Sequence, residues 1–273
     1  MWSEIENVSS NSEIRHPAIR GCLSYLNIDE GLEIHHDGDL PGRSGMGSSA
    51  SFTVGLLHAL HGIKSEMISK RALALEAMEV DHDIVKENVG VQDHIAASFG
   101  GLNRLDFQGA RSSFSVTPIM IKKDWLNLFL RCIMLFYTGV DRHSSEVVAP
   151  QVAKFEEAEE TLRRMVEMVD EAQSLLTMGR LKEFGLLLHE AWLFKRSFGA
   201  SNERIDSLYK AALGAGAWGG KILGAGKGGV LMVFAEPGAR MGIEWVMRDQ
   251  GLLHVPFEFE AQGSQIIYYS EDQ

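Results

Sequence analysis

Apolar positions along the chain fall into helix-like and strand-like stretches. From His16 to Leu26, the residues Ile19, Cys22, Leu23 and Leu26 recur at the spacing of one helix face. Leu32 to His36 reads as a short strand, 39–49 is rich in turn residues, and 51–63 is apolar on nearly every side, the mark of a buried helix. A further helix is predicted over 69–85, with Ser69 as its N-cap. Gly100-Gly101 interrupts the pattern ahead of a strand over 102–107, and Arg131 to Tyr137 reads as a buried strand ending at Thr138-Gly139. Between 145 and 178, Phe155, Leu162, Val166, Val169 and Leu176 keep a helical period, a core stripe whose intervening charges face water. Helices over 181–195 and 203–215, a glycine-dense loop, a strand over 230–235, a helix over 243–250 and a closing strand over 265–269 complete the reading. Strands and helices alternate without the strict rhythm of a parallel sheet, so the predicted class is α+β.

Charge and cysteine usage narrow the function classes. The 26 Lys and Arg residues against 37 Asp and Glu give a formal charge of −11, which argues against non-specific binding to nucleic acid or an anionic membrane. A local basic pocket for a phosphorylated ligand stays open. No stretch approaches the roughly 18 apolar residues that would span a bilayer, and the polar, acidic start Met1-Trp2-Ser3-Glu4 is unlike a secretory leader. The two cysteines, Cys22 and Cys132, lack a CxxC spacing, so neither a disulfide framework nor a zinc site is expected and a cytoplasmic location fits.

Three constellations carry chemistry. In the first, Leu40-Pro41-Gly42-Arg43-Ser44-Gly45-Met46-Gly47-Ser48-Ser49-Ala50 runs directly into the buried helix. Glycines there allow close backbone approach to a ligand, and Ser48 and Ser49 bring hydroxyls and amides to a helix N-terminus, which favours phosphate. A plain glycine turn with a serine N-cap accounts for the same residues. The second is Gly219-Gly220-Lys221-Ile222-Leu223-Gly224-Ala225-Gly226-Lys227-Gly228-Gly229. Its GxGxxG precedes a strand instead of following one, which disfavours a dinucleotide fold, and tight packing of loop against helix would also call for glycines. The third is Gly90-Val91-Gln92-Asp93-His94, followed by Phe99-Gly100-Gly101-Leu102-Asn103. A carboxylate such as Asp93 can accept the proton of an attacking hydroxyl, or it can cap a helix starting near His94. His82, Asp83 and His94 could form a transition-metal site, but solvated helix residues are the expected reading; no GxxxxGK[ST] loop occurs in the chain.

In this order the segments resemble the motifs of the GHMP small-molecule kinases. Gly45 to Ala50 resembles the second family motif, Pro-x-x-x-Gly-Leu-Gly-Ser-Ser-Ala, with Met46 for Leu; Lys221 to Gly229 resembles the third, Lys-x-x-Gly-Ala-Gly-x-Gly-Gly. The Gly-x-Gln-Asp and Phe-Gly-Gly-Leu-Asn segments are similar to one branch, the D-glycero-D-manno-heptose 7-phosphate kinases, as are Thr138-Gly139-Val140-Asp141-Arg142 and Glu190-Ala191-Trp192-Leu193-Phe194-Lys195. The resemblance covers most of the chain from His16 onward.

That resemblance implies a GHMP kinase fold: an N-terminal domain over 1–125 like the second domain of ribosomal protein S5, and a ferredoxin-like C-terminal domain over 126–273. It implies ATP and Mg²⁺ as cofactors, and a sugar or sugar phosphate phosphorylated at a hydroxyl, the anomeric one in this branch. Gly45, Met46, Gly47, Ser48, Ser49 and Ala50 would hold the ATP phosphates, and Ser49 and Asp81 the Mg²⁺, with Glu79 as fallback because the branch carries Glu where Asp81 stands. Asp93 would be the catalytic carboxylate. Arg142, Lys195, Gly224, Ala225 and Gly226 would meet the acceptor, although an Arg at position 142 also suits pairing with a helix acid. Family members commonly carry Lys where Val91 stands, and begin earlier with paired strands and Phe-Gly-Gly-Gly-Gly-Thr-Asp, so the chain is expected to be N-terminally shortened, with an exposed sheet edge inviting another chain or a homodimer. A silent nucleotide-binding or interaction module, and a kinase for fucose or mevalonate, are the alternatives.

Overall fold

Residues 5–39, 45–87, 90–139 and 158–270 are described by the computed structural model. Arg142 and the segment Leu40 to Ser44 lie outside the described residues. The chain divides into two compact units, the described parts of 1–42, 47–118 and 260–273 forming one and those of 43–46 and 119–259 the other. The end of the chain, expected with the C-terminal half, therefore belongs with the first unit.

The first unit is built on helices. Helix α1 (Pro17–Tyr25) starts where His16 Nδ1 accepts the Ile19 amide at 3.3 Å, with Pro17 at its first position. Helix α2 (Ser48–Ile63) begins three residues before the apolar run and buries Val54, Leu57 and Leu60 against Cys22, Leu23 and Leu73. Helix α3 (Lys70–Glu79) is capped as predicted by Ser69, whose Oγ accepts the Ala72 amide at 3.2 Å. It does not run on to 85: a π-helical turn (Val80–Ile84) follows, closed by Val85 N–H to Val80 C=O at 2.8 Å. Helix α4 (Gln92–Phe99) then leads into an antiparallel hairpin, β1 (Asn103–Phe107) and β2 (Phe114–Pro118), whose second strand the hydrophobic pattern did not suggest.

The end of α4 explains the Gly100-Gly101 pair. A Cβ on Gly100 would lie 2.1 Å from the Gly263 amide nitrogen, so the closing segment runs against this turn. Gly101 N–H donates to Glu260 C=O and Ser264 N–H to Ala97 C=O. Beyond Ser264 side chains touch the end of α2 and the turn after it: Ile266 Cδ1 lies 2.8 Å from where a Cβ on Gly62 would be, and Tyr269 Oη meets Ser65 Oγ at 3.0 Å. Neither 265–269 nor 32–36 forms a strand, because among the described residues no neighbouring strand offers either of them a ladder.

The second unit is a four-stranded antiparallel sheet with helices. Helix α5 (Lys123–Cys132) leads into β3 (Ile133–Tyr137), so the strand predicted from Arg131 starts two residues later. Helices α6 (Glu159–Thr177), α7 (Leu181–Ser197) and α8 (Glu203–Gly214) precede β4 (Ala217–Ile222) and β5 (Val230–Ala235), and α9 (Arg240–Asp249) precedes β6 (Leu253–Val255). The order β4-β5-β3-β6 is the ferredoxin-like arrangement, with Ile133 opposite Phe234 and Leu135 opposite Met232. Gly219 and Gly220, expected in a loop, lie in β4. A Cβ on Gly219 would sit 2.0 Å from the Gly185 carbonyl of α7, so helix and strand pack backbone to backbone there. Trp192, Met134, Phe136, Ile222 and Leu231 share the core of this unit. Among the described residues no helix is long and apolar enough to cross a membrane.

Candidate active site

The glycine turn before α2 folds as its residues demand. Gly45 (φ +80°) and Gly47 (φ +74°) both adopt the left-handed region, and Gly47 is the residue from which α2 starts. Ser48 and Ser49 open the helix, while the first regular bond of the turn runs from Ser51 N–H to Gly47 C=O at 3.0 Å. The amides of Ser48, Ser49 and Ala50 have no partner among the described residues, and a helix N-terminus carries partial positive charge. Ala50 is buried beneath the turn and Ser49 is exposed above it.

Asp93 reaches this turn from α4. It occupies the first turn of that helix, inside it instead of at its cap, and it lies so close to Gly47 that a Cβ there would stand 3.2 Å from Asp93 Cγ. Burial pushes the Asp93 carboxyl above the usual aspartate range, with His94 opposing the shift more weakly. Sequence positions 47 and 93 thus meet in one unit: an anion-favouring helix end beside a carboxylate with raised proton affinity.

The two expected Mg²⁺ ligands differ in fit. Ser49 fits a hard cation, since its hydroxyl is exposed and donates to Glu87 Oε2 at 3.3 Å, which puts a second oxygen donor beside it. Asp81 does not. It is 1% exposed, Oδ1 accepts the Thr53 hydroxyl at 2.8 Å, and Oδ2 lies 2.9 Å from His94 Nε2. Glu79, the fallback, accepts the Tyr25 hydroxyl at 3.1 Å. His94, expected to be solvated, is fully buried, with His82 partly buried and its ring 6.1 Å away. Among the described residues no cluster of three His, Cys, Asp or Glu side chains could hold a metal ion. Thr53 and Glu87 were missed from sequence, and His94 was weighed there only as a solvated residue or part of a transition-metal site; a threonine four residues after Ser49, in a largely apolar helix, was the available signal.

The acceptor candidates lie in the second unit. Lys195 Nζ donates to the carbonyls of Gly224 and Ile222, so it ties α7 to the second glycine segment, 219–229. Gly226 is buried, and a Cβ on it would lie 2.4 Å from Ala200 C=O, which gives that glycine a packing role. Gly224 is exposed at φ +63° and Ala225 half-buried. The base of the segment is fastened by Thr138, whose N–H and hydroxyl both donate to Gly229 C=O. The neighbouring motif residues are structural: Glu190 accepts Arg164 at 3.0 Å, and Trp192 packs edge-on to Tyr209 in the core.

Comparison with known proteins bears on the family and the fold. The model of the GHMP kinases N terminal domain matches residues 15–101, and that of the GHMP kinases C terminal domain matches 157–241. A D-glycero-alpha-D-manno-heptose 7-phosphate kinase of Campylobacter jejuni is 27% identical over 239 residues, covering 85% of this chain and 69% of that protein. A galactokinase of Pyrococcus furiosus is 28% identical over 255 residues (80% and 69%), and a mevalonate kinase of Pyrococcus abyssi 25% over 250 residues (88% and 70%). Among solved structures, a D-glycero-D-manno-heptose 1-phosphate kinase from Bacteroides thetaiotaomicron superposes with a TM-score of 0.76 at 22% identity, covering 93% of this chain and 76% of that one.

Proposed function

The chain belongs to the GHMP kinases, phosphotransferases that act on hydroxyls of sugars and related small molecules, and from that premise we propose that it transfers the γ-phosphoryl group of ATP to the anomeric hydroxyl of a heptose 7-phosphate. The observation that carries the reading is the approach of Gly47 to Asp93. The start of α2 receives the phosphates through the amides and hydroxyls of Ser48 and Ser49, and Asp93 accepts the hydroxyl proton as the O–P bond forms. GHMP kinases generally work with Mg²⁺, which neutralises phosphate charge when bound; Ser49 is the residue here whose exposed hydroxyl suits it. Half-burial of Asp93 favours this chemistry, because a carboxyl of raised pKa is a better proton acceptor than an ordinary aspartate.

The heptose acceptor is supported by the Phe99-Gly100-Gly101-Leu102-Asn103 segment and by the heptose 7-phosphate kinase among the relatives; the galactokinase and mevalonate kinase relatives supply the competing acceptors. ADP release, coupled to a spectrophotometric readout, is to be measured over heptose 7-phosphate, galactose, fucose and mevalonate. Turnover dependent on the heptose phosphate is expected, with Asp93→Asn losing about 10²–10⁴-fold in kcat while retaining ATP binding. Turnover on another acceptor, or full activity of Asp93→Asn, would overturn the assignment. A second reading, a nucleotide-binding module without transfer, is favoured by the engaged carboxylate of Asp81; it predicts ATP binding with no ADP release on any acceptor.

A further inference from the structure

Asp81 is oriented inward by the backbone before any side chain acts. The π turn over Val80–Ile84 carries one more residue per turn than the α-helix before it, and Asp81 sits there at 1% exposure. Burying a carboxylate is tolerated when its oxygens are paired. Here one oxygen takes the hydroxyl of Thr53 and the other faces His94 Nε2, both partners being fully buried. Against an ionised carboxylate, which only accepts, the His94 tautomer that fits is the one with its proton on Nε2. His94 Nδ1 and the hydroxyl of Ser98, one turn further along α4, are buried without a partner among the described residues. Among the described residues, the Asp81 bond is therefore the one polar tie on the His94 ring.

His94 follows Asp93 in the first turn of α4, so whatever holds its ring sets the rotation of that turn and the position from which Asp93 projects. A Mg²⁺ ion demands near-octahedral oxygens and keeps several waters. A carboxylate enclosed between α2, the π turn and α4 offers neither the room nor the free oxygens.

We propose that Asp81 is a positioning residue: with Thr53 it anchors His94 and thereby sets Asp93, and it does not ligate the divalent ion. This rests on the kinase reading above. The test uses the full chain and the variants Asp81→Asn, His94→Gln and the double variant, with Mn²⁺ affinity read by electron paramagnetic resonance in the presence of the non-hydrolysable ATP analogue AMP-PNP. Steady-state kcat and KM for ATP and acceptor are measured alongside. A displacement of Asp93 by about an ångström lowers kcat by about 10²-fold. Each single variant is expected to lose on the order of 10–100-fold in kcat, to keep Mn²⁺ affinity within about threefold, and to be no better than the double variant by more than about twofold, since residues in one network are non-additive. Loss of Mn²⁺ affinity by about tenfold or more in Asp81→Asn, with His94→Gln unaffected, would make Asp81 a ligand and overturn the proposal. If Asp81→Asn does not fold, His94→Gln decides: unchanged kcat overturns the proposal, and reduced kcat with intact Mn²⁺ affinity supports it. Wild-type protein that binds no Mn²⁺ with AMP-PNP defeats the kinase reading itself, an outcome distinct from the other two.

Discussion

Gly47→Ala isolates the contact on which the site depends. The added Cβ meets two obstacles. Position 47 has φ +74°, where an alanine costs about 1–2 kcal/mol, partly offset by about 0.4–1 kcal/mol from the stiffer unfolded chain. The same Cβ would stand 3.5 Å from Asp93 Oδ2, an ordinary contact, but 3.2 Å from Cγ, closer than ordinary van der Waals contact, so the Asp93 carboxylate has to retreat by a few tenths of an ångström. Gly109→Ala is the matched control: its φ is +82° and no atom lies within 4 Å of the new Cβ, so it carries the backbone term alone. Both variants should lose about 1 kcal/mol in urea denaturation. Only Gly47→Ala should lose activity, by roughly tenfold in kcat if an ångström of misplacement is worth about a hundredfold. Equal kcat in the two variants would refute the idea that the turn and Asp93 form one catalytic unit.

Other consequences concern pH, packing and the second glycine segment. Because burial raises the Asp93 pKa, the folded protein holds that proton to higher pH than the unfolded chain, and stability falls as pH rises through this window. Asp93→Asn should therefore melt above wild type at pH 7, with the difference narrowing as pH is lowered towards about 4; a difference constant with pH would contradict the shift. Gly219→Ala forces a Cβ to within 2.0 Å of the Gly185 carbonyl, and should cost about 1–3 kcal/mol or more and lower the melting temperature, whereas Gly242→Ala, with open space around it, should not. Lys195→Met removes the tie to the Gly224 and Ile222 carbonyls; faster amide exchange across 222–226 is expected, and unchanged exchange would show that Lys195 does not fasten the segment.

Helix periodicity carried most of the fold into the sequence. Apolar spacing located α1, α2, α7, α8 and the strands at 133–137 and 230–235 because those elements bury a face within their own unit. The elements it missed have physical reasons. β4 contains Gly219 and Gly220, which read as loop residues until the carbonyl of α7 is seen to occupy the space a side chain would need. The expected strands over 32–36 and 265–269 have suitable residues, but a strand exists only with a partner, and partnership is not a local property. For the candidate site, glycine spacing marks the turn at 45–50 and the Gly-x-Gln-Asp resemblance marks Asp93, and the structure sets Gly47 beside Asp93. It could not distinguish Ser49, whose hydroxyl is exposed, from Asp81, whose carboxylate is enclosed by Thr53 and His94; burial separates them, and spacing along the chain carries no burial.

Amide chemical shifts of protein labelled with ¹⁵N at serine, glycine and alanine test the central claim most directly. On titration with AMP-PNP, the resonances of Gly47, Ser48, Ser49 and Ala50 should move together and saturate, and inorganic tripolyphosphate should reproduce the shift at those positions. Saturable nucleotide binding that leaves all four unmoved would place the triphosphate elsewhere and contradict the account.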